Sequence, residues 1–203
     1  MTDPGNISQI SRLNPDYMGF IFYPQSRRYA GDLAAPDLVE MPDSIRKVGV
    51  FVNASPEDLL EACRQMGIRI IQLHGNESPE YCRLMKQKGL EVIKAIGVGA
   101  DTRFSEWVDY QDSCDFFLLD NEGPGHGGTG RKFEWERLAG YELEKPFFLS
   151  GGIGPGDARR ILRFDHPQLY GVDLNSRFES RPGIKKFHEL EKFIKIIRKN
   201  INK

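Results

Sequence analysis

Residues 48–58, Val-Gly-Val-Phe-Val-Asn-Ala-Ser-Pro-Glu-Asp, join a short apolar run to a polar turn and a helix start. Ser55 is a favoured N-cap residue, Pro56 fits the first helical position, and the acidic residues that follow suit the positive end of a helix. The same order recurs within 68–80, where Ser78-Pro79 follows another apolar run. An apolar run that leads into a capped helix is typical of strand–helix repeats with parallel strands.

Further apolar runs repeat this pattern along the chain. The seven runs are Tyr17–Phe22, Val48–Val52, Ile68–Leu73, Val92–Ile96, Phe116–Leu119, Phe147–Leu149 and Tyr170–Leu174. Seven such units predict an α/β fold, for which the (β/α)₈ TIM barrel is the usual outcome. The sequence opens on a predicted helix, capped by Thr2 or Asp3, so the first strand of such a barrel is not found. We expect one TIM-barrel domain over residues 1–203, without its first strand.

Charge and composition limit the partners of the chain. The net charge is −1, which gives no bulk attraction to nucleic acid or to an anionic membrane. The basic stretch 185–203 is interleaved with apolar residues at helical spacing, which favours a helix packed on the barrel over a membrane-binding segment. We therefore expect neither nucleic acid nor membrane as a partner.

The three cysteines, Cys63, Cys82 and Cys114, form no CxxC pair, and their odd number argues against a disulfide framework. With no visible signal peptide and no long apolar span, this indicates a reducing, cytoplasmic location. Of the four histidines only His74 ends a strand run, so no metal site is predicted.

Side chains that follow the strands of a parallel barrel face its mouth. Asp120 ends the run Phe116–Leu119, and desolvation there would raise its pKa and make it a proton donor; an aspartate that caps the next loop is an equal alternative. Arg28 follows the first run and could hold a carboxylate by a two-pronged contact, the alternative being a surface arginine. For His74, packing beneath the mouth is favoured over a contact with substrate.

Glycine-rich segments follow the last three runs. Residues 123–130 contain five glycines around His126, which suits either a loop over a ligand or a flexible surface loop. Ser150-Gly151-Gly152 follows the last run but one, and Gly171–Ser176 lies in the last run; after the final two strands barrel enzymes commonly bind phosphate through backbone N–H groups. We favour a phosphate site there over plain turns.

An ordered set of motifs extends these observations. The motifs are Phe-Tyr-Pro-x-Ser-x-Arg-Tyr (22–29), Val-Gly-Val-Phe-Val-Asn (48–53), Gln-Leu-His-Gly (72–75), Leu-Leu-Asp (118–120), Gly-Gly-Thr-Gly (127–130) with Phe133 and Trp135, Ser-Gly-Gly-Ile (150–153), Gly-Val-Asp-x-x-Ser (171–176), then Glu179 and Pro182-Gly183-x-Lys185. Together they resemble, over essentially the whole chain, the phosphoribosylanthranilate isomerases of tryptophan biosynthesis.

The resemblance implies a cofactor-free Amadori rearrangement, an intramolecular aldose–ketose isomerisation of the oxidoreductase type. N-(5′-phosphoribosyl)anthranilate would become 1-(2-carboxyphenylamino)-1-deoxyribulose 5-phosphate, in a monomer or homodimer. By the same resemblance Asp120 is the general acid and Arg28 holds the anthranilate carboxylate. The other residues that the resemblance assigns are Gly151, Gly152, Asn175 and Ser176 at the phosphate, and Asp173, Gly128 and Thr129 near the substrate.

One departure from the family pattern concerns the base. The family's base is a cysteine in a Lys-x-Cys-Gly motif on the first strand, just before a segment like Met1–Pro4, and no such motif occurs in the 203 residues. None of the three cysteines takes its place by position. We therefore expect a truncated isomerase with impaired activity, and a non-catalytic phosphosugar-binding barrel stays open as an alternative.

Two other phosphosugar barrels fit less well. An indole-glycerol-phosphate synthase needs several lysines at the mouth, and here Lys94 alone ends a strand run. A ribulose-phosphate epimerase needs metal-binding histidines and aspartates on several strands, which the histidine positions do not supply.

Overall fold

The helix starts form as their sequences predict. In the computed structural model, which describes residues 1–34, 37, 41–99, 101–121 and 135–201, the Ser55 and Ser78 side chains accept hydrogen bonds from backbone N–H groups of the first turns that follow. Asp3 does the same for the first helix, through Asn6 N at 2.7 Å. The α-helices are α1 (Pro4–Ser11), α2 (Pro56–Met66), α3 (Pro79–Gln87), α4 (Ala158–Ile161) and α5 (Phe187–Ile201).

Seven strands form one parallel sheet in chain order. They are β1 (Tyr17–Ile21), β2 (Arg46–Phe51), β3 (Ile70–Leu73), β4 (Glu91–Val98), β5 (Phe116–Asn121), β6 (Phe147–Leu149) and β7 (Leu169–Val172). Each strand pairs in parallel with the next, which confirms the predicted α/β barrel architecture. Within the described ranges β1 and β7 are the two edges of this sheet.

Several connections are shorter than the α-helices that a regular repeat predicts. A 3₁₀ helix at Phe104–Tyr110 joins β4 to β5, and another at Trp135–Gly140 precedes β6. After β7 comes a 3₁₀ helix at Ser176–Phe178, and then an antiparallel pair that the sequence did not predict, β8 (Glu179–Arg181) with β9 (Ile184–Lys185). Gly183 turns between these two strands with φ at +85°, a conformation that suits glycine.

The core has two parts because side chains alternate across a strand. Phe117 and Leu119 of β5 are fully buried between the sheet and the outer helices, whereas Leu118 points into the barrel. Leu118 packs there with an inner cluster that includes Ile93 and Phe148. This inner cluster forms the floor beneath the carboxyl ends of the strands, where the predicted site lies.

Side-chain contacts link the two edge strands at both ends of the barrel. At the bottom, the Tyr17 hydroxyl of β1 lies 3.3 Å from the Tyr170 hydroxyl of β7. Near the mouth, Asn6 of α1 exchanges two hydrogen bonds with the backbone of Lys185, at 2.7 and 3.0 Å. One contact thus joins the edge strands themselves, and the other joins α1, which precedes β1, to β9, which follows β7.

Candidate active site at the mouth of the barrel

A cavity of about 870 Å³ runs through the barrel from Tyr17 and Tyr170 at the bottom to the carboxyl ends of the strands. The predicted site residues that line it are Arg28, Asp120, Gly151, Gly152, Asp173, Asn175 and Ser176. The structure thus brings to one cavity residues of β5 and of the segments after β1, β6 and β7, which are far apart in sequence. Gly128 and Thr129, also predicted at the site, lie outside the described residues, as does His126.

Asp120 lies within β5, one residue before its end, and its side chain is only 15% exposed. Burial raises the pKa of Asp120 to about 6; a backbone hydrogen bond from Asn121 lowers this pKa, and the nearby negative charge of Asp173 raises it. The predicted upward shift of the pKa is therefore confirmed. A carboxyl group with a pKa near 6 keeps a substantial protonated fraction close to neutral pH, as a proton donor must.

His74, for which the sequence favoured a packing role, lines the same cavity. Its Nε2 lies 3.8 Å from Asp120 Oδ2, and its Nδ1 lies 2.7 Å from the Gln72 side-chain nitrogen. Because an amide NH₂ only donates, the Gln72 contact requires Nδ1 to accept, and the ring proton then lies on Nε2, facing Asp120. The relevant sequence signal was the position of His74 at the end of a strand.

Arg28 is already held by a buried carboxylate. Its Nε lies 2.9 and 3.1 Å from the two oxygens of Glu179, and its Nη2 lies 2.8 Å from Oε2. The Glu179 side chain is 4% exposed. A guanidinium has five N–H donors in a planar fork, so the edge formed by Nη1 and Nη2 is left to bind a second carboxylate. The two-pronged contact predicted from the sequence must use that edge.

Backbone geometry shapes the predicted phosphate site. Gly151 and Gly152, directly after β6, have φ values of +87° and +68°, which a side chain would make costly. Ser150 Oγ donates to Asp173 Oδ2 at 3.0 Å, so β6 and β7 are joined at the mouth. These contacts bring the loops after β6 and β7 to one wall of the cavity.

Lys185 supplies a positive charge at this wall. Its Nζ donates to Asn175 Oδ1 at 2.8 Å and to Leu174 O at 3.1 Å, and lies 3.3 Å from Glu179 Oε1. Burial lowers the pKa of Lys185, while the charge of Glu179 acts to raise it. Sequence reasoning noted Lys185 and Glu179 only as parts of the family motif.

Lys94 does not end a strand, as the sequence had indicated, but lies within β4. Its ammonium is bound by Gly75 O at 2.6 Å, Leu73 O at 3.1 Å and Glu77 Oε2 at 3.1 Å. A lysine with this many partners below the surface has a structural role.

The cysteines do not line the cavity. All three are buried free thiols, and burial raises the pKa of Cys63 and Cys82 to about 11 and that of Cys114 to about 12. They are neutral near pH 7 and unsuited to accept a proton. Within the described ranges no cluster of three metal-binding side chains is found, and no helix there is long and apolar enough to span a membrane.

Comparison with known proteins agrees with this geometry. The family model described as N-(5'phosphoribosyl)anthranilate (PRA) isomerase matches residues 1–196. The chain belongs to this family. Two N-(5'-phosphoribosyl)anthranilate isomerases are similar over nearly their whole length: that of Phocaeicola vulgatus is 40% identical (99% of this chain, 96% of the relative), and that of Parabacteroides distasonis is 41% identical (97% and 90%).

Solved structures of the isomerase family have the same fold. Phosphoribosyl anthranilate isomerase from Thermus thermophilus superimposes with a TM-score of 0.85 at 27% identity, covering 98% of this chain and 96% of the other. A second isomerase, in complex with reduced 1-(o-carboxyphenylamino)-1-deoxyribulose 5-phosphate, gives a TM-score of 0.81 at 30% identity, with 98% and 95% coverage. The isomerase of Thermotoga maritima is described as dimeric.

Proposed function

We propose that the chain is a phosphoribosylanthranilate isomerase, which converts N-(5′-phosphoribosyl)anthranilate to 1-(2-carboxyphenylamino)-1-deoxyribulose 5-phosphate. The observation that carries this proposal is Asp120, whose pKa is raised to about 6 in a cavity that also contains Arg28 and the glycine loop after β6. The substrate has a carboxylate at one end and a phosphate at the other. The cavity contains the guanidinium of Arg28 for the carboxylate and the loop of Gly151 and Gly152 for the phosphate.

The two anionic groups of the substrate bind at different walls. The anthranilate carboxylate meets the Nη1–Nη2 edge of Arg28, since Glu179 occupies the other edge. The phosphate lies at the loop of Gly151, Gly152, Asn175 and Ser176, with the charge of Lys185 behind Asn175. This places the ribose between the two walls, within reach of Asp120.

Asp120 starts the reaction by giving its proton to the ribose ring oxygen. The C1′–O bond breaks and the ring opens to a protonated Schiff base. Loss of the C2′ proton to a base gives an enolamine, which tautomerises to the ketone. The Nε2–H of His74 then faces the Asp120 carboxylate and stabilises its charge. The rearrangement moves protons and electron pairs within one molecule and is redox-neutral overall, so its chemistry requires no redox cofactor.

The base follows from the family resemblance. The resemblance assigns it to a cysteine in a Lys-x-Cys-Gly strand, and the described cavity is lined by no thiol. We expect the 203 residues alone to turn over slowly, and the same chain preceded by such a strand to be faster by roughly 10²–10⁴-fold. Equal rates for the two forms would show that this view of the base is wrong.

Binding and turnover should be measured separately. We expect the chain to bind the reduced product analogue, and Arg28→Ala to weaken that binding at least tenfold through loss of a charge-assisted contact. Arg64→Ala is a matched control, because Arg64 is paired with Glu61 on an exposed helix face. Absence of binding by the folded chain would contradict the proposal. Binding without turnover, even in the extended form, would support the alternative of a non-catalytic phosphosugar-binding barrel.

A further inference from the structure

A chain of buried polar contacts crosses the mouth of the barrel. Arg28 is bound by Glu179, Glu179 lies 3.3 Å from Lys185, and Lys185 donates to Asn175. The side chains of Glu179 and Lys185 are 4% and 10% exposed. Each link is short and shielded from water, so the chain holds its members in one arrangement.

This chain of contacts joins the segments after β1 and β7, two strands of the sheet that are not paired with each other. Arg28 follows β1 and Asn175 follows β7, and these strands are the edges of the described sheet. Other contacts fix the middle of the chain: Gly183 N donates to Glu179 Oε1 at 3.2 Å, and Asn6 of α1 holds the Lys185 backbone. Glu179 and Lys185 thus bridge the segments after β1 and β7 at the mouth.

We propose that Glu179, linked through Lys185, is a positioning residue that fixes the guanidinium of Arg28 relative to the phosphate loop at Asn175 and Ser176. The inference rests on the proposed function, in which Arg28 holds the substrate carboxylate and the loop holds the phosphate. Glu179 touches neither group of the substrate. It acts by orienting the Nη1–Nη2 edge of Arg28 toward the cavity.

The physical reason is the freedom of an arginine side chain. An arginine whose guanidinium has no fixed partner samples several rotamers. These are lost when a ligand binds, and the lost conformational entropy weakens the complex. Glu179 removes that freedom before the substrate arrives, because it binds both Nε and Nη2. It also compensates the positive charges of Arg28 and Lys185, whose burial would otherwise be costly.

The test compares ligands that differ only in the carboxylate. For Glu179→Gln we expect an affinity loss of about tenfold for the reduced product analogue, and of less than about twofold for the same compound without its carboxylate. In the form that turns over, KM rises and kcat stays near its original value, as expected when a binding contact is lost. Glu136→Gln is the matched control, because Glu136 makes a similar two-oxygen contact with Arg160 on the surface.

Two further variants distinguish positioning from charge and from folding. Glu179→Asp keeps the charge but withdraws the carboxylate, so positioning predicts the same loss for the carboxylate ligand, whereas charge balance alone predicts none. In an Arg28→Ala background, Glu179→Gln should have no further effect on affinity. Thermal unfolding identifies variants that do not fold. If Glu179→Gln does not fold, the binding comparison is made with Glu179→Asp.

The outcomes separate this inference from the proposed function. If Arg28→Ala itself leaves analogue affinity unchanged, the proposed role of Arg28 fails and takes the inference with it. If Arg28→Ala weakens binding but Glu179→Gln and Glu179→Asp do not, the inference alone is wrong. Equal losses for ligands with and without the carboxylate would also overturn it.

Discussion

Two acidic side chains near the same end of this barrel, Glu77 and Asp120, differ in how well their negative charge is compensated by neighbouring groups. Glu77, after β3, accepts hydrogen bonds from Asn53 N at 2.8 Å and Gly75 N at 2.9 Å, and it pairs with Lys94 at 3.1 Å. Asp120, near the end of β5, accepts one from Asn121 N and faces His74 at 3.8 Å. Neighbouring Asp173 adds negative charge to its surroundings.

The difference between Glu77 and Asp120 shows what separates a structural carboxylate from a reactive one. The Glu77 charge is compensated by an ammonium and two N–H groups, and these contacts offset the cost of its burial and hold the loop after β3. For Asp120 burial outweighs compensation, and its pKa rises to about 6. Substitution should therefore lower activity at Asp120 and lower stability at Glu77.

The largest expected effect is on catalysis at Asp120. Asp120→Asn removes the proposed proton donor while keeping the shape of the side chain, so kcat/KM of the form that turns over should fall by roughly 10²–10⁴-fold. Steady-state kinetics of the isomerisation measure this fall, with Asp112→Asn on the exposed surface as the control. Activity of Asp120→Asn close to that of the unchanged protein would remove Asp120 from the mechanism.

Glu77→Gln should act on stability instead. The substitution leaves Lys94 buried without its counter-ion and turns an amide NH₂ toward donors, which costs about 3–5 kcal/mol of unfolding free energy. Urea denaturation measures this loss, and kcat below the unfolding temperature should stay near that of the unchanged protein. A large loss of kcat with normal stability would show that Glu77 acts in catalysis, which contradicts the comparison with Asp120.

The sign of the stability change at Asp120 depends on pH. The pKa of Asp120 is 3.8 in the reference state and about 6 when folded, so the folded protein loses stability as pH rises through this range. Asp120→Asn removes that loss. It should be more stable than the unchanged protein by up to about 3 kcal/mol at pH 8 and equally stable at pH 3. Denaturation at the two pH values provides the check, and a variant less stable at pH 8 would be evidence against desolvation of Asp120.

The smallest effect is expected where a carboxylate pairs in water. Glu136→Gln breaks an exposed contact with Arg160, and surface pairs contribute about 0–1 kcal/mol. Its unfolding free energy and its kcat/KM should both stay close to those of the unchanged protein. A loss of unfolding free energy as large as that of Glu77→Gln would mean that burial does not determine how much an ion pair contributes to stability.

The sequence predicted what local rules decide. Ser55 and Ser78 cap their helices as expected, because a cap needs only the next few residues. Asp120 and Arg28 were placed at the mouth because the carboxyl ends of parallel strands face the same way.

Contacts between distant segments could not be predicted from local rules. The Arg28–Glu179 pair joins residues 151 positions apart, and the partners of Lys94 come from the neighbouring strand and its loop. The role of His74 depends on Gln72 and Asp120, which meet it only in the folded barrel. Local rules miss these contacts because the arrangement of the strands in the folded barrel decides which side chains become neighbours.

The measurement that tests the account most directly is the titration of the Asp120 carboxyl carbon by NMR, with ¹³C-labelled aspartate and Asp120→Asn for assignment. Burial in the cavity predicts a midpoint of about 6 for this carbon. A midpoint near 3.8, the ordinary value for an aspartate, would show that Asp120 is well solvated and could not be the proton donor.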